Sequence, residues 1–185
     1  NIDMDDISEP FLRKDKTRLQ EIYDLRVDVW ENSEKNEFVN RKIFPNGWFD
    51  DLDETAYHWV ITNNENKIIA AARLNIFDSL ETFPYYKFIS HLNIPQYTPF
   101  GFFSRLVIHK DYQGKGLSIR LDTSRMLFCE AKRVRWLQVL ATSERVKNLF
   151  EKLNFKIFGQ VQVNYHEFTE PHIVNVFIKE YQYDI

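Results

Sequence analysis

Apolar side chains recur every three or four positions in residues 17–31, and this spacing predicts an amphipathic first helix. Thr17 and Gln20 have the spacing of a capping box at its start. Arg26 falls on the apolar face, where a charged side chain must pair with an acid, reach the surface or line a cleft. The acidic residues 1–10, which precede this helix, are expected to form a flexible lead-in.

Short apolar runs bounded by turn residues predict six strands, at residues 57–62, 67–74, 100–108, 136–141, 155–165 and 173–181. Further helices are expected at residues 85–92, 117–133 and 143–153. The first two strands form a hairpin, and the last two form an antiparallel pair. A strand–helix–strand crossover predicts that strands 100–108 and 136–141 are parallel neighbours. This order of elements predicts an α+β domain on a mixed sheet.

Composition narrows the class of protein. No linker interrupts the 185 residues, so a single domain over residues 1–185 is expected. A net charge of −3 disfavours nucleic-acid binding. Cys129 is the only cysteine, which excludes an intramolecular disulfide and fits a reducing compartment. No run is apolar for long enough to span a membrane, and a cytoplasmic location is expected.

Residues 106–118 place a strand, a glycine-containing loop and a helix start in succession. Backbone N–H groups at a helix start favour anions, so this segment is either a phosphate cradle or a plain connection. A Walker A loop is excluded because Lys115 is followed by Gly116. A dinucleotide fingerprint is excluded because Ile119 stands where its third glycine belongs.

The run Leu106-Val-Ile-His-Lys-Asp-Tyr-Gln-Gly-Lys-Gly-Leu-Ser118 resembles the coenzyme A motif of the GNAT (N-acetyltransferase) superfamily, Q/R-x-x-G-x-G/A. Gln113, Gly116 and Ser118 occupy the motif positions. Residues 143–155 resemble a later helix of the same family. The resemblance implies a single GNAT-type acyltransferase domain, with a mostly antiparallel, twisted sheet flanked by helices. It also implies that the central parallel strand pair is splayed.

The same resemblance implies that acetyl-CoA or another acyl-CoA is the cosubstrate, with a small-molecule amine or amino acid as acceptor and no metal. Backbone groups of the strand would pair with the pantetheine arm, and backbone N–H donors would stabilise the oxyanion. Phe150 stands where many members have a tyrosine that protonates the departing thiolate. Another residue or water must then protonate the thiolate, or the protein has lost acetyl transfer. The implied cofactor-binding residues are Leu106, Val107, Ile108, Gln113, Gly114, Lys115, Gly116, Leu117, Ser118, Ser143 and Phe150.

Four short segments, at residues 24–30, 49–53, 72–74 and 103–106, are similar to motifs of acyl-homoserine-lactone synthases and N-acyl amino acid synthases. Phe102 replaces an acid in the last of them, which disfavours a homoserine-lactone product. The likeness implies four substrate-binding residues, Arg26, Arg73, Ser104 and Arg105. For Arg73 and Arg105 the alternative to a substrate-binding role is an ion pair with Asp50, Asp51 or Asp53.

The predicted function is direct transfer of an acetyl or other short acyl group from acyl-CoA to an amine. Two alternatives stay open. One is a long-chain N-acyl amino acid or autoinducer-type synthase, and the other is a catalytically silent acyl-CoA-binding module. The number of subunits is also open, and a homodimer is compatible with the sequence. The sequence does not choose among four conceivable proton acceptors, Asp51, Asp53, Tyr165 and His166.

Overall fold

The computed structural model describes residues 3–13, 16–142, 145 and 147–184. Within these residues seven strands form one sheet in the order β1-β2-β3-β4-β5-β7-β6. The strands are β1 (Phe11–Arg13), β2 (Tyr57–Thr62), β3 (Ile68–Phe77), β4 (Phe100–Ile108), β5 (Trp136–Ala141), β6 (Lys156–Val163) and β7 (His172–Glu180). The helices are α1 (Leu19–Glu31), α2 (Tyr86–Ile89), α3 (Leu117–Ala131) and a π-helix (Lys147–Lys152). Short 3-10 turns lie at Met4–Asp6, Asp51–Asp53 and Lys110–Tyr112.

The sheet is mixed, as predicted. Strands β1 and β2, β2 and β3, β5 and β7, and β6 and β7 are antiparallel neighbours. Strands β4 and β5 are parallel neighbours, but their register covers only Phe100↔Trp136 to Phe103↔Val139. Strand β4 continues to Ile108 beyond that register. The predicted α+β fold, mostly antiparallel with one parallel central pair, is confirmed.

The first compact unit consists of Asn1–Leu74 and Arg105–Met126. Its core forms where the apolar face of α1 packs on the sheet. Ile22 and Leu25 of α1 lie in one buried cluster with Val60, Ala71 and Val107. Burial of these side chains stabilises the unit by about 25 cal/mol for each Å² of apolar surface removed from water.

The second compact unit consists of Asn75–Ser104 and Leu127–Ile185. Aromatic rings fill its interior. Phe100 stacks on Trp136 with ring centres 4.4 Å apart, and Phe83 meets Phe100 edge-on at 5.6 Å. All three side chains are at most 2% exposed. Much of the high aromatic content of the sequence therefore serves core packing.

Several helix predictions need correction. Helix α1 begins at Leu19 with Arg18 as its N-cap and no side-chain cap, so the predicted capping box of Thr17 and Gln20 is wrong. The reason is that Thr17 lies one residue too early, and Arg18 instead pairs with Glu21 across the first turn at 2.6 Å. The helix predicted at residues 85–92 is confined to Tyr86–Ile89.

The last predicted helix also differs. Its described part is the π-helix Lys147–Lys152, and the Leu153 N–H donates to the Asn148 oxygen five residues back at 3.1 Å. A strand that the hydrophobic pattern did not predict, β1, pairs Leu12 with Trp59 of β2. Three residues are too few to show alternation. None of the helices described is long and apolar enough to cross a membrane.

Candidate active site

The glycine loop that follows β4 has a backbone that only certain residues adopt. Gly114 and Gly116 have φ values of 75° and 78°. A Cβ atom on either glycine would meet nothing within 4 Å, so the backbone conformation rather than crowding favours glycine. Helix α3 starts directly afterwards at Leu117. The loop therefore ends at the N-terminus of a 15-residue helix, which carries the positive end of the helix dipole.

Two hydrogen bonds connect this loop to the sheet, and a third lies within the loop. The His109 N–H donates to the Ile69 oxygen of β3 at 2.8 Å, and the His109 Nδ1 atom accepts from the Asp111 N–H at 3.2 Å. The Gln113 Nε2 group reaches back to donate to the Ile108 oxygen at 2.9 Å. The loop is thus held against the end of β4 before its glycines begin.

The direction of these bonds assigns the backbone groups of β4 to its two sides. Because His109 bonds to β3 and strand residues alternate, the backbone of Val107 faces β3 as well. The N–H and C=O groups of Leu106 and Ile108 face away from β3. Since the register with β5 ends at Phe103, it does not include these groups.

A second polar site in the same unit is built on the turn Asp51–Asp53. The Asp50 side chain accepts from the Leu52 N–H at 3.0 Å, and the Asp53 carboxylate accepts from the Asp50 N–H at 3.0 Å. This reciprocal capping box fixes two carboxylates three positions apart in the chain.

Three arginines from three different elements converge on these carboxylates. Arg26 of α1 is fully buried and binds Asp53 through two parallel bonds of 3.0 and 2.9 Å. Arg73 of β3 lies 2.5 Å from Asp50 and 3.1 Å from Asp53. Arg105 of β4 donates to Asp50 at 2.7 Å. These contacts join three guanidinium groups to the carboxylates of Asp50 and Asp53.

Arg105 is the member of this cluster with unusual backbone geometry. Its φ is 52°, a left-handed value inside a strand. Such a conformation costs a non-glycine residue about 1–3 kcal/mol and persists only where the surroundings hold it. Here Asp50 binds the guanidinium, which stacks 3.8 Å from the centre of the Trp48 ring. Its side chain is 11% exposed.

The charges of the cluster set its protonation states. Burial opposes ionisation of Asp53, but Arg26, Arg73 and the Asp50 N–H together outweigh burial and hold the pKa of Asp53 well below its ordinary value. Burial likewise opposes ionisation of Asp50, and Arg105 and Arg73 lower its pKa overall. Burial lowers the pKa of His58, whose Nε2 lies 3.2 Å from the Asp53 backbone oxygen. Both carboxylates are therefore ionised and His58 is neutral at pH 7.

The structure brings together three of the four predicted substrate residues, Arg26, Arg73 and Arg105. Arg73 and Arg105 pair with Asp50, as the alternative interpretation expected, and Arg26 pairs with Asp53 in the interior rather than at the surface. Ser104 is half-buried, next to Arg105 in β4. Sequence reasoning missed Trp48, which lies two positions before the acidic turn in a segment without periodicity.

The other candidate residues are spread over different elements. In the glycine loop Gln113 is exposed and Lys115 half-buried, whereas Leu117 is buried and Ser118 is half-buried. Ser143 lies outside the described residues. Phe150 lies in the π-helix Lys147–Lys152, and its side chain is outside what the structure describes.

The four conceivable proton acceptors are divided between the two compact units. Asp53 is buried in the arginine cluster, and Asp51 on the same turn is exposed. Tyr165 contacts the ring of Tyr85 in the second unit, with ring centres 5.1 Å apart. His166 is exposed. Within the described part of the chain, no group of three or more His, Cys, Asp or Glu side chains is placed to hold a metal ion.

Residues 19–155 match the profile of the Acetyltransferase (GNAT) family. The chain belongs to the GNAT family of acetyltransferases. The family prediction from the glycine loop is thereby confirmed, and the protein is a GNAT-family acyltransferase. No curated protein matches this GNAT chain.

Solved structures share the fold of this GNAT protein at low identity. A GNAT-family acetyltransferase from Staphylococcus aureus Mu50 is 10% identical with a TM-score of 0.58, covering 94% of this chain and 98% of its own. The N-acyl amino acid synthase FeeM from uncultured soil microbes is 9% identical with a TM-score of 0.64, covering 94% and 90%. The CoA-dependent acyl-homoserine lactone synthase BjaI is 15% identical with a TM-score of 0.63, covering 87% and 76%.

Proposed function

We propose that this GNAT protein transfers an acetyl or other short acyl group from acyl-CoA to an amine. The observation that carries the proposal is the loop with Gly114 and Gly116 at positive φ, placed directly before α3. Gly114 and Gly116, with open space at the Cβ position, let a pyrophosphate approach the helix N–H groups closely. Lys115 between them adds a positive charge.

The rest of the acyl-CoA has a place along β4. The outward N–H and C=O groups of Leu106 and the N–H group of Ile108 offer hydrogen bonds to the two amides of a pantetheine arm, whereas the Ile108 oxygen accepts from Gln113. Ser143 and Phe150 of the later motif complete the proposed cofactor set. The Phe150 side chain is a hydrocarbon and carries no proton to give, so water or another group protonates the departing thiolate.

The proposed chemistry is direct attack in a ternary complex. The neutral amine nitrogen forms a bond to the thioester carbonyl carbon, and the carbonyl electrons move to oxygen. Backbone N–H donors stabilise that oxyanion. Its collapse re-forms the carbonyl and breaks the C–S bond. The nitrogen loses one proton and the thiolate gains one, with a base or a water relay carrying the proton.

A second candidate function is acylation of an α-amino acid, and the arginine cluster favours it. The cluster brings three guanidinium groups together around Asp50 and Asp53, and this concentration of positive charge attracts a negative group. Arg105 is the partly exposed member, next to Trp48. The carboxylate of an amino acid substrate would bind at the exposed edge of Arg105. The likeness to FeeM and BjaI is consistent with this candidate.

Calorimetry with coenzyme A and a thiol-release assay test both candidates. The native chain should bind coenzyme A, and absence of binding would overturn both. Turnover with simple amines supports the first candidate, whereas turnover restricted to α-amino acids supports the second. Tight binding without turnover on any acceptor identifies a silent acyl-CoA-binding module.

A further inference from the structure

The N-terminal segment before Glu9 is hydrogen-bonded to the hairpin that starts with β2. Ile7 forms an antiparallel bridge with Asn63. The Ser8 N–H donates to the Thr62 oxygen at 2.8 Å, and the Ser8 hydroxyl accepts from the Thr62 N–H at 2.9 Å. These bonds anchor the residue immediately before Glu9 and so limit where its side chain can reach.

Glu9 places its carboxylate on Arg120, at an oxygen–nitrogen distance of 2.5 Å. Arg120 lies one helical turn after the glycine loop, and its N–H donates to the Gly116 oxygen at 3.3 Å. Side chains of a helix lean toward its N-terminus, so the guanidinium covers the turn that begins at Gly116. The Arg120 side chain therefore already binds one anion, the Glu9 carboxylate, at the N-terminal end of α3.

We propose that Arg120 binds a phosphate group of the acyl-CoA and that Glu9 competes with this phosphate for the guanidinium. The inference rests on the proposed cofactor site. It adds Arg120 as a residue that binds phosphate and Glu9 as a carboxylate that competes with the phosphate. A guanidinium pairs with phosphate through two parallel hydrogen bonds, and the phosphate groups of coenzyme A together carry more negative charge than one carboxylate. The Glu9 side chain is 85% exposed, so its pair with Arg120 is weak and can be displaced.

The charge of the N-terminal segment strengthens the competition. Residues 1–10 contain four acids, Asp3, Asp5, Asp6 and Glu9, and no lysine or arginine. A polyphosphate that approaches the α3 terminus meets this negative potential. Neutralising Glu9 should therefore release Arg120 and also reduce the repulsion.

Calorimetry with coenzyme A, 3′-dephospho-coenzyme A and phosphate-free pantetheine tests the inference. Glu9→Gln should tighten coenzyme A binding by about twofold to fivefold, the range of an exposed ion pair. Arg120→Gln should weaken it by about tenfold, whereas Arg120→Lys should recover part of the loss. In the Arg120→Gln background, Glu9→Gln should lose its effect. Pantetheine binding should be the same in every variant.

Two matched variants test whether removing any nearby charge changes coenzyme A affinity as much as removing the Glu9 charge does. Asp6→Asn removes another acid of the same segment, and Lys132→Gln removes a cation just beyond the other end of α3. Both should change coenzyme A affinity less than Glu9→Gln does.

The outcomes separate this inference from the proposed function. If native protein binds coenzyme A and Arg120→Gln binds it equally well, the phosphate role of Arg120 is wrong and the proposed function survives. If Glu9→Gln tightens binding equally with and without Arg120, the competition is wrong. If native protein binds no coenzyme A, the proposed function and this inference both fall.

Discussion

The Arg105 guanidinium stacks on Trp48, 3.8 Å from the centre of the indole ring. The contact joins strand β4 to a segment more than fifty residues earlier, and Asp50 of that segment binds the same guanidinium at 2.7 Å. A flat cation between a ring and a carboxylate is held in one orientation at low entropic cost. The left-handed backbone of Arg105 directs the side chain into this arrangement.

We expect Arg105→Ala to raise the KM for α-amino acid acceptors by at least about tenfold, the loss of one charge-assisted hydrogen bond. Arg105→Lys keeps the charge but loses the planar stack, so its KM should lie between those of the native protein and Arg105→Ala. Steady-state thiol release over a series of amino acids measures the change. An unchanged KM in a folded Arg105→Ala protein would rule out a carboxylate at Arg105.

Gly116→Glu should abolish coenzyme A binding. The glutamate adds bulk and a negative charge where the pyrophosphate is proposed to lie, and its backbone must adopt a φ of 78°. Gly116→Asn is the control, because asparagine tolerates left-handed φ and is neutral. Calorimetry on both proteins, with circular dichroism to verify folding, decides the matter. Equal affinity of folded Gly116→Glu and native protein would disprove the site.

Asp53→Asn should destabilise the protein by about 3–5 kcal/mol, because Arg26 is fully buried and would lose its carboxylate. The control is Asp51→Asn on the same turn, which is exposed and should change stability by less than about 0.5 kcal/mol. Urea unfolding at pH 7 measures both free energies. Similar losses in the two variants would show that the buried pair contributes no special stability.

Stability should fall as the pH is lowered from 7 to 5, and His58 should cause part of the fall. Burial holds the folded pKa of His58 below the unfolded value, so the unfolded chain binds more protons in this window. The contribution is fully present above the unfolded pKa and is lost as pH falls toward the folded pKa. His58→Gln should flatten the profile by at most about 1.4 kcal/mol per pH unit. The exposed His91→Gln control should retain the native slope.

The lowered pKa values of Asp50 and Asp53 add a second loss at more acidic pH. Their contribution is present above the unfolded carboxyl pKa and disappears as pH falls through the folded values. A native profile that is flat between pH 7 and 5 would contradict the assignment to His58.

Affinity should stay flat or fall from acetyl-CoA to dodecanoyl-CoA. The rings of Phe83, Phe100 and Trp136 are fully buried and already fill the second unit. A channel that buried the acyl chain would instead add about 0.8 kcal/mol for each methylene. Thermal shift across the donor series measures this, and a steep rise in affinity would favour a long-chain synthase.

Sequence alone determined the elements whose signals are local. The bounds of β4 and β5 were predicted to the residue, because each is a continuous apolar run between turn residues. The start of α3 was also correct, since Gly114 and Gly116 mark the preceding loop. The family followed from these same residues. By contrast β1, with three residues, is too short to carry a periodic signal.

Only the tertiary structure decided which charged residues meet. The cluster joins Arg26, Asp50, Asp53, Arg73 and Arg105, which belong to a helix, a turn and two strands. The sequence limited the expected partners of Arg73 and Arg105 to Asp50, Asp51 and Asp53. It could not exclude Asp51, because all three acids follow one another within four positions and only the reciprocal cap turns Asp50 and Asp53 inward.

The same limit applies to Glu9 and Arg120, which lie more than one hundred positions apart. Periodicity reports which face of an element is buried, and it carries no information on which distant charge lies opposite. Ion pairs between elements depend on side-chain directions that the assembled backbone sets. The sequence therefore identified the fold and the family, and the packed structure selected the partners of the charged residues.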